Sequence, residues 1–236
     1  VSGRLALRDG LVLVAPGAVF VPAESTLIVA DTHAGLPSEL RARGHAVPIG
    51  DDEALIAKLR AMVTLTEAET VVVAGDLLHG PGSLARDPLG ALVAALPASR
   101  LRIVRGNHDR RAESALDARA IEHDTALAVG PHWVTHGDDV ERVRALRALA
   151  HEAGGRVLVG HIHPAFALDD GEGARRVCPA FVTARALVCL PALSVWARGG
   201  DVRSRAVKTQ LTALSEGDPM GVAVIVGDRV LPIGPL

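Results

Sequence analysis

Five short apolar runs punctuate this chain, and each closes on residues that a hydrophobic core would reject. "TLIVADTH" spans 26–33, "TVVVAGDLLH" 70–79, "LRIVRGNHD" 101–109, "HWVTHGD" 132–138 and "RVLVGHIH" 156–163. The run Val71–Val72–Val73 is β-branched, continuous and short, as in a strand covered on both faces. Side chains alternate along a strand, so Asp31 and His33 point the same way, as do His161 and His163. Asp76, Asn107, His136 and His161 follow one another at intervals of 31, 29 and 25 residues. A strand–helix–strand unit takes roughly 30 residues, so this spacing returns each group to the same edge of a sheet. In open α/β sheets, binding residues gather outside the carboxyl ends of the strands.

Helical patterns separate the runs. Leu55, Ile56, Leu59, Met62 and Val63 form a stripe behind Asp51, an expected N-cap. Leu89–Leu96 is a shorter helix stopped by Pro97, Arg111–Ile121 a third, and Val140–Ala153 a fourth ending at Gly154–Gly155. This alternation predicts an α/β sheet that is largely parallel in the middle of the chain. Toward the ends the pattern becomes β-rich and antiparallel. "LVLVAPGAVFV" reads as two strands broken by Pro16 and Gly17, and "GVAVIVGDRVLPI" as a hairpin about Gly227–Asp228. No linker divides the chain, so residues 1–236 are expected to form one domain. The stretch "GLPSELRARGHAVPIG", 35–50, is expected to be a long functional loop.

Composition narrows the function. With 236 residues and 49% hydrophobic content there is ample apolar surface for a core. The net charge of −2 provides no global basic field. There is no Tyr, and only three Phe and two Trp, which disfavours a platform of aromatic rings for single strands. No apolar run reaches membrane-spanning length. Cys178 and Cys189 lie in apolar surroundings without a CxxC motif and read as buried free thiols, in keeping with a cytoplasmic protein.

The strand-end residues Asp31, His33, Asp76, Asn107, His136, His161 and His163 are all candidate metal ligands. They are too many for one tetrahedral ion, but they suit two ions sharing a bridging group. Asp76 stands alone after Gly75 and is the natural bridge. Two dications roughly 3.5–4 Å apart can clamp the attacking and leaving oxygens of a phosphoryl transfer. Asp31 and Asp76 offset only part of the charge of such a pair, so a phosphate ester would meet a positive site. A His-rich set favours manganese, iron or zinc over magnesium, with manganese the first expectation.

In this order the motifs resemble those of the calcineurin-like metallophosphoesterases: Asp-x-His, Gly-Asp, Gly-Asn-His-Asp, a lone His, then Gly-His-x-His, from Asp31 to His163. The resemblance implies a four-layer α/β (α+β) fold, with two mixed sheets packed face to face and helices outside. It implies one metal held by Asp31, His33, Asp76 and His163, and a second held by Asp76, Asn107, His136 and His161. His108 would protonate the leaving oxygen while metal-bound hydroxide attacks phosphorus in line, and Asp109 would orient the imidazole.

Other segments narrow the resemblance to the bacterial DNA ligase-associated branch, as far as about Asp201. They are "PAESTLIVADTHAG" (22–35), "ELRARGHAVPIG" (39–50), "GDLLHG" (75–80), "GHIHPAFAL" (160–168), and "CPAFV" followed by "LPAL". That branch implies a DNA repair-associated nuclease or phosphodiesterase acting on single-stranded or damaged DNA, with a functional link to a ligase and a helicase. Leu36 and Leu193 stand where the branch carries a basic and an aromatic residue. Arg105 and Arg110, flanking His108, are candidates for gripping phosphate, and His79 for a hydrogen bond to a ligand. His132 is expected on the opposite face or in a turn, and His45, His123 and His151 at the surface. Two other readings remain open: a small-molecule phosphoesterase acting on nucleotides or cyclic nucleotides, and a non-catalytic scaffold. The complete ligand set with His108 argues against the scaffold.

Overall fold

A computed structural model describes residues 3–47, 51–79, 88–96, 100–109, 113–169, 171–197 and 199–236. The first sheet has seven strands in sequence order: β1 (Arg4–Ala6), β2 (Val12–Val14), β3 (Ala18–Val21), β4 (Thr26–Val29), β5 (Thr70–Ala74), β6 (Arg100–Val104) and β7 (Glu122–Asp124). β1 to β4 pair antiparallel, and β4 to β7 pair parallel. The two strands read around Pro16 and Gly17 are β2 and β3. The second sheet has nine strands: β8 (Ala126–Val129), β9 (His132–Thr135), β10 (Val157–Val159), β11 (Pro164–Asp169), β12 (Arg175–Ala184), β13 (Leu187–Cys189), β14 (Gly200–Asp201), β15 (Gly221–Val226) and β16 (Arg229–Pro235). β9, β10 and β13 run parallel, and β15 and β16 form the hairpin expected about Gly227–Asp228.

Strand alternation divides the apolar residues among three cores. Ile28, Val72, Ala74 and Val104 face the second sheet, where they meet Val134, Leu158, Phe181 and Val188. Their neighbours Leu27, Val29, Val71 and Val73 face outward onto Leu55, Leu59 and Met62 of α2 (Asp51–Thr66) and Leu89 and Leu92 of α3 (Pro88–Ala95). On the far side, Val157, Val159 and Leu187 pack on Val143 and Leu146 of α5 (Val140–Glu152) and on Leu211 and Leu214 of α6 (Arg205–Ser215). Helices, two sheets and helices therefore stack as four layers, because every central strand is apolar on both faces. No helix among the described residues is long and apolar enough to cross a membrane. Cys178 and Cys189 are free and buried.

Three expectations change. The stretch 35–50 is not a long loop throughout: α1 (Leu36–Ala42) occupies its first half, with Pro37 in the first turn and Leu36 and Pro37 buried. Residues 48–50 lie outside the described residues. Of the helix expected over Arg111–Ile121, residues 111–112 lie outside the described residues, and α4 (Glu113–Asp117) ends short of Ile121, because the chain turns at Ala120 (φ 52°) to enter β7. α6, which the sequence reading did not place, starts at Ser204, whose side chain accepts from the Val207 N–H. Asp51 opens α2 but its side chain is outside the described residues, as is the expected stop at Pro97. α5 starts as expected, with the Asp139 carboxylate accepting from the Arg142 N–H at 3.0 Å, a cap worth about 1 kcal/mol.

Candidate metal centre

The carboxyl ends of β4, β5 and β6 meet those of β9 and β10 at one edge of the inter-sheet core, and all seven candidate ligands lie there. Five of them occupy left-handed backbone: Asp31 (φ 52°), His33 (43°), Asp76 (49°), His161 (66°) and His163 (49°). Non-glycine residues in that region cost on the order of 1–3 kcal/mol each and collect where surrounding structure enforces them. Here the turns hold one another. Asp31 N donates to Gly75 O (3.1 Å), His33 N to Asp76 O (2.9 Å) and Ala34 N to Leu77 O (2.8 Å). From the second sheet, Gly160 N donates to His136 O (2.9 Å) and His161 N to Asp31 Oδ2 (2.9 Å). A Cβ on Gly160 would lie 2.5 Å from Asp31 Oδ2 and 2.8 Å from Ala30 Cβ, so only glycine lets the two sheets approach here.

Two groups of donor atoms result. In one, Asp31, His33 and His163 offer atoms within 4.8 Å of one another; in the other, Asp31, Asp76 and His136 do. Asp76 faces both ways: Oδ2 is 3.8 Å from His33 Nε2, and Oδ1 is 3.5 Å from His136 Nε2. Asn107 Oδ1 and His161 Nδ1 join the second group, 3.0 and 3.2 Å from His136 Nε2. The other nitrogen of His136 is 3.2 Å from Ala74 O. Donation there fixes the tautomer and leaves Nε2 with a lone pair. That lone pair then faces an amide oxygen, a carboxylate oxygen and a second imidazole, a crowd that a cation resolves. Asp31 Oδ1 fits the same requirement: it is fully buried and has no well-directed donor, although His163 Nε2 lies 3.3 Å away. Carboxylate, amide and neutral imidazole donors thus fit a pair of divalent cations.

The electrostatics agree. Burial pushes His33 down to about 3 against the pull of Asp31, with His163, His79 and His108 acting in the same direction as burial. Burial also lowers His161, so both rings are held as neutral ligands. Burial opposes charge on His163 too, but the combined pull of the Asp31 and Asp76 carboxylates outweighs this and raises it. Asp76 is raised by burial, in part offset by His136 and the His108 N–H. A cation there would compete with protons for this carboxylate, since a metal ligand must be ionised.

His108 sits at the rim, 41% exposed, with Nε2 3.9 Å from Asp76 Oδ2. Its N–H donates to Asp76 Oδ1 at 2.9 Å. The ring stacks on His79 (centroids 5.2 Å apart, 20° between planes) and meets His33 edge-on at 5.4 Å. His79 Nδ1 is 3.4 Å from His33 Nδ1, so His79 touches both a candidate ligand and His108. Asp109 departs from expectation. It is fully buried, and its carboxylate accepts from the N–H groups of Gly106 (2.9 Å), Leu78 (3.0 Å) and Leu77 (3.2 Å) rather than orienting the His108 ring. His108 is exposed and Asp109 buried, so the two neighbours point apart. Asp109 ties the Asp76 turn to the Asn107 turn. Asp109→Asn replaces one acceptor with an amide facing an N–H, and is expected to cost about 2–3 kcal/mol in denaturant unfolding. Unchanged stability with a shifted pH–rate profile would return Asp109 to a role on His108.

The remaining candidates are placed as follows. Arg105 is half-buried at the end of β6, its N–H donating to Asp124 O at 2.8 Å; Arg110 lies outside the described residues. His132 is in neither a turn nor the site: it starts β9, buried, and its Nδ1 accepts from Arg156 N at 3.1 Å. His45 and His151 are exposed, while His123 is half-buried with Nε2 2.9 Å from Asp117 Oδ1. The segment after β13, where sequence reading noted Leu193 only as a departure from the branch, also belongs to the site. Its Leu193 N donates to Ala30 O (2.9 Å) and Ser194 N to Asp31 O (3.2 Å), which makes it a wall of the site.

Comparison with known proteins adds independent findings. The profile of the calcineurin-like phosphoesterase superfamily domain matches residues 24–186. No curated protein sequence matches the chain. Among solved structures, the Pseudomonas putida nuclease MPE is similar with a TM-score of 0.68 at 24% identity, covering 98% of each chain. The E. coli phosphoesterase Yfce gives 0.43 at 16% identity, over 89% of this chain and 97% of that one. The Pseudomonas likeness establishes the fold.

Proposed function

The chain belongs to the calcineurin-like phosphoesterase superfamily, and on that premise we propose that it is a dinuclear metal-dependent phosphodiesterase acting on nucleic acid. One observation carries the reading: the two oxygens of Asp76 face separate donor groups, with His108 open to solvent beside them. In this proposal Asp31, His33, Asp76 and His163 hold one ion, and Asp76, Asn107, His136 and His161 the other. When bound, the pair supplies positive charge for the phosphoryl oxygens and eases ionisation of water at neutral pH. His108 holds a proton at Nε2 for the leaving oxygen. Asp76 anchors the His108 backbone, and His79 restrains its ring from one side. Manganese is the proposed ion on the strength of the His-rich donor set.

Two supports favour nucleic acid over other phosphate esters. The nuclease with which the chain aligns end to end is one; the segments similar to the DNA ligase-associated branch are the other. With them come a proposed role in DNA repair in the cytoplasm, with single-stranded or damaged DNA as substrate and a link to a ligase and a helicase. The test is the purified chain with Mn²⁺, offered a bis-aryl phosphodiester, an aryl monoester, cyclic nucleotides and single-stranded DNA. Hydrolysis of the diester and of DNA is expected. Turnover of the monoester alone contradicts the proposal, and turnover of cyclic nucleotides without DNA puts the small-molecule reading in its place.

A further inference from the structure

A groove of about 660 Å³ opens beside His163, on the second-sheet side of the metal centre, within the roughly 300–1,000 Å³ typical of ligand sites. Its walls are unusual for this chain. Four prolines line it: Pro16, Pro164, Pro179 and Pro191. Val177 and Val195, among the most exposed large apolar side chains described (55% and 57%), stand at it. The charged residues lining it are Lys58, Arg176 and the candidate ligand His163, with no Asp or Glu among the described residues. In a chain of net charge −2, that is a local surplus of cations.

Lys58 is one of only two lysines. It reaches from α2 to donate to Leu193 O at 3.5 Å, and has no acidic partner among the described residues. Burial lowers its pKa, a penalty that an arriving anion would offset. The groove and the centre share a wall, because the Leu193–Ser194 backbone is bonded to Ala30 and Asp31.

We infer that this groove holds the nucleoside next to the scissile phosphate, its base lying on proline and valine faces while Lys58 and Arg176 take the neighbouring phosphate. Flat apolar walls suit the face of a heterocycle without reading its edges, so recognition there is tolerant of sequence. The cations confer salt dependence, since each phosphate neutralised on a single strand contributes about 0.7 to the slope of log affinity against log salt. The inference rests on the proposed phosphodiesterase reading and extends it to the substrate's flank.

The test uses the full chain with Mn²⁺ and a short fluorescein-labelled phosphorothioate oligothymidylate, which keeps its charge and resists hydrolysis. Anisotropy titrations at several salt concentrations compare wild type, the double variant Lys58→Met/Arg176→Met, and Val195→Asp, whose substitution is at an exposed site. The double variant should bind about tenfold more weakly at low salt and lose about 0.7 from the slope per cation removed. Val195→Asp should also weaken binding. The ratio of kcat/KM on oligothymidylate to that on the bis-aryl diester should fall at least about fivefold in both. Wild-type affinity and slope in both variants, or equal losses on the two substrates, overturns the groove. A wild type that hydrolyses the bis-aryl diester yet fails to bind the oligonucleotide also overturns it, and leaves the metal-dependent diesterase standing. Groove-dependent binding with no diester hydrolysis sinks the catalytic reading instead.

Discussion

Replacing His108 with Asn is expected to lower kcat on an oligonucleotide by about 100- to 10,000-fold, the usual contribution of a positioned acid, while bound metal stays unchanged. His108 Nε2 stands 3.9 Å from Asp76 Oδ2, beyond ligand distance, and His108 is the exposed imidazole of the cluster. Its backbone N–H, which fastens the turn to Asp76, survives the substitution. The leaving group provides a control that a structural role would not reproduce. A nucleoside alkoxide needs its proton at bond cleavage, whereas an aryloxide leaves with little help, so the loss on a bis-aryl diester should be far smaller. Equal losses on both substrates, or loss of metal, would take the acid role away from His108.

Asp76→Ala is expected to remove activity on every diester and to lower metal content below two ions per chain. Among the candidate ligands Asp76 has one oxygen toward the His33 group and the other toward the His136 group. Its Oδ1 also receives the His108 N–H. One truncation therefore loosens both sites and frees the turn that carries His108. The thermodynamic readout is independent of turnover. A ligand at one hundred times its dissociation constant adds about 2.7 kcal/mol to stability, so wild type should melt higher with Mn²⁺ added, and the variant should gain much less. A full Mn²⁺-dependent rise in the variant would show that the ions do not depend on this bridge.

The strand ends are legible in the sequence because strands buried on both faces leave no doubt where burial stops. Val71–Val73 and Val157–Val159 are fully enclosed, and the polar residues that follow can only be at an edge. The β2–β3 and β15–β16 turns announce themselves through Pro16–Gly17 and Gly227–Asp228. α1 does not: its seven residues are too few to show a period. α6 carries Ser204 and the spacing Val207, Leu211, Leu214, signals that are present but lie among strand-like segments. At the site, residue types betray the donors, but not the roles of neighbours. The family resemblance made Asp109 the partner of His108, whereas the backbone turns the carboxylate onto three N–H groups. The groove is illegible for a further reason. Lys58, Arg176 and Pro191 come from separate elements and share no motif; only the packing of α2 and β12 against the segment after β13 brings them together.

The most direct measurement is anomalous scattering from crystals of the full chain grown with Mn²⁺. Two peaks on either side of the Asp76 carboxylate are predicted. One should lie within coordination distance of Asp31, His33 and His163, and the other within reach of Asn107, His136 and His161. A single peak, or manganese bound elsewhere with these side chains unengaged, would contradict the account.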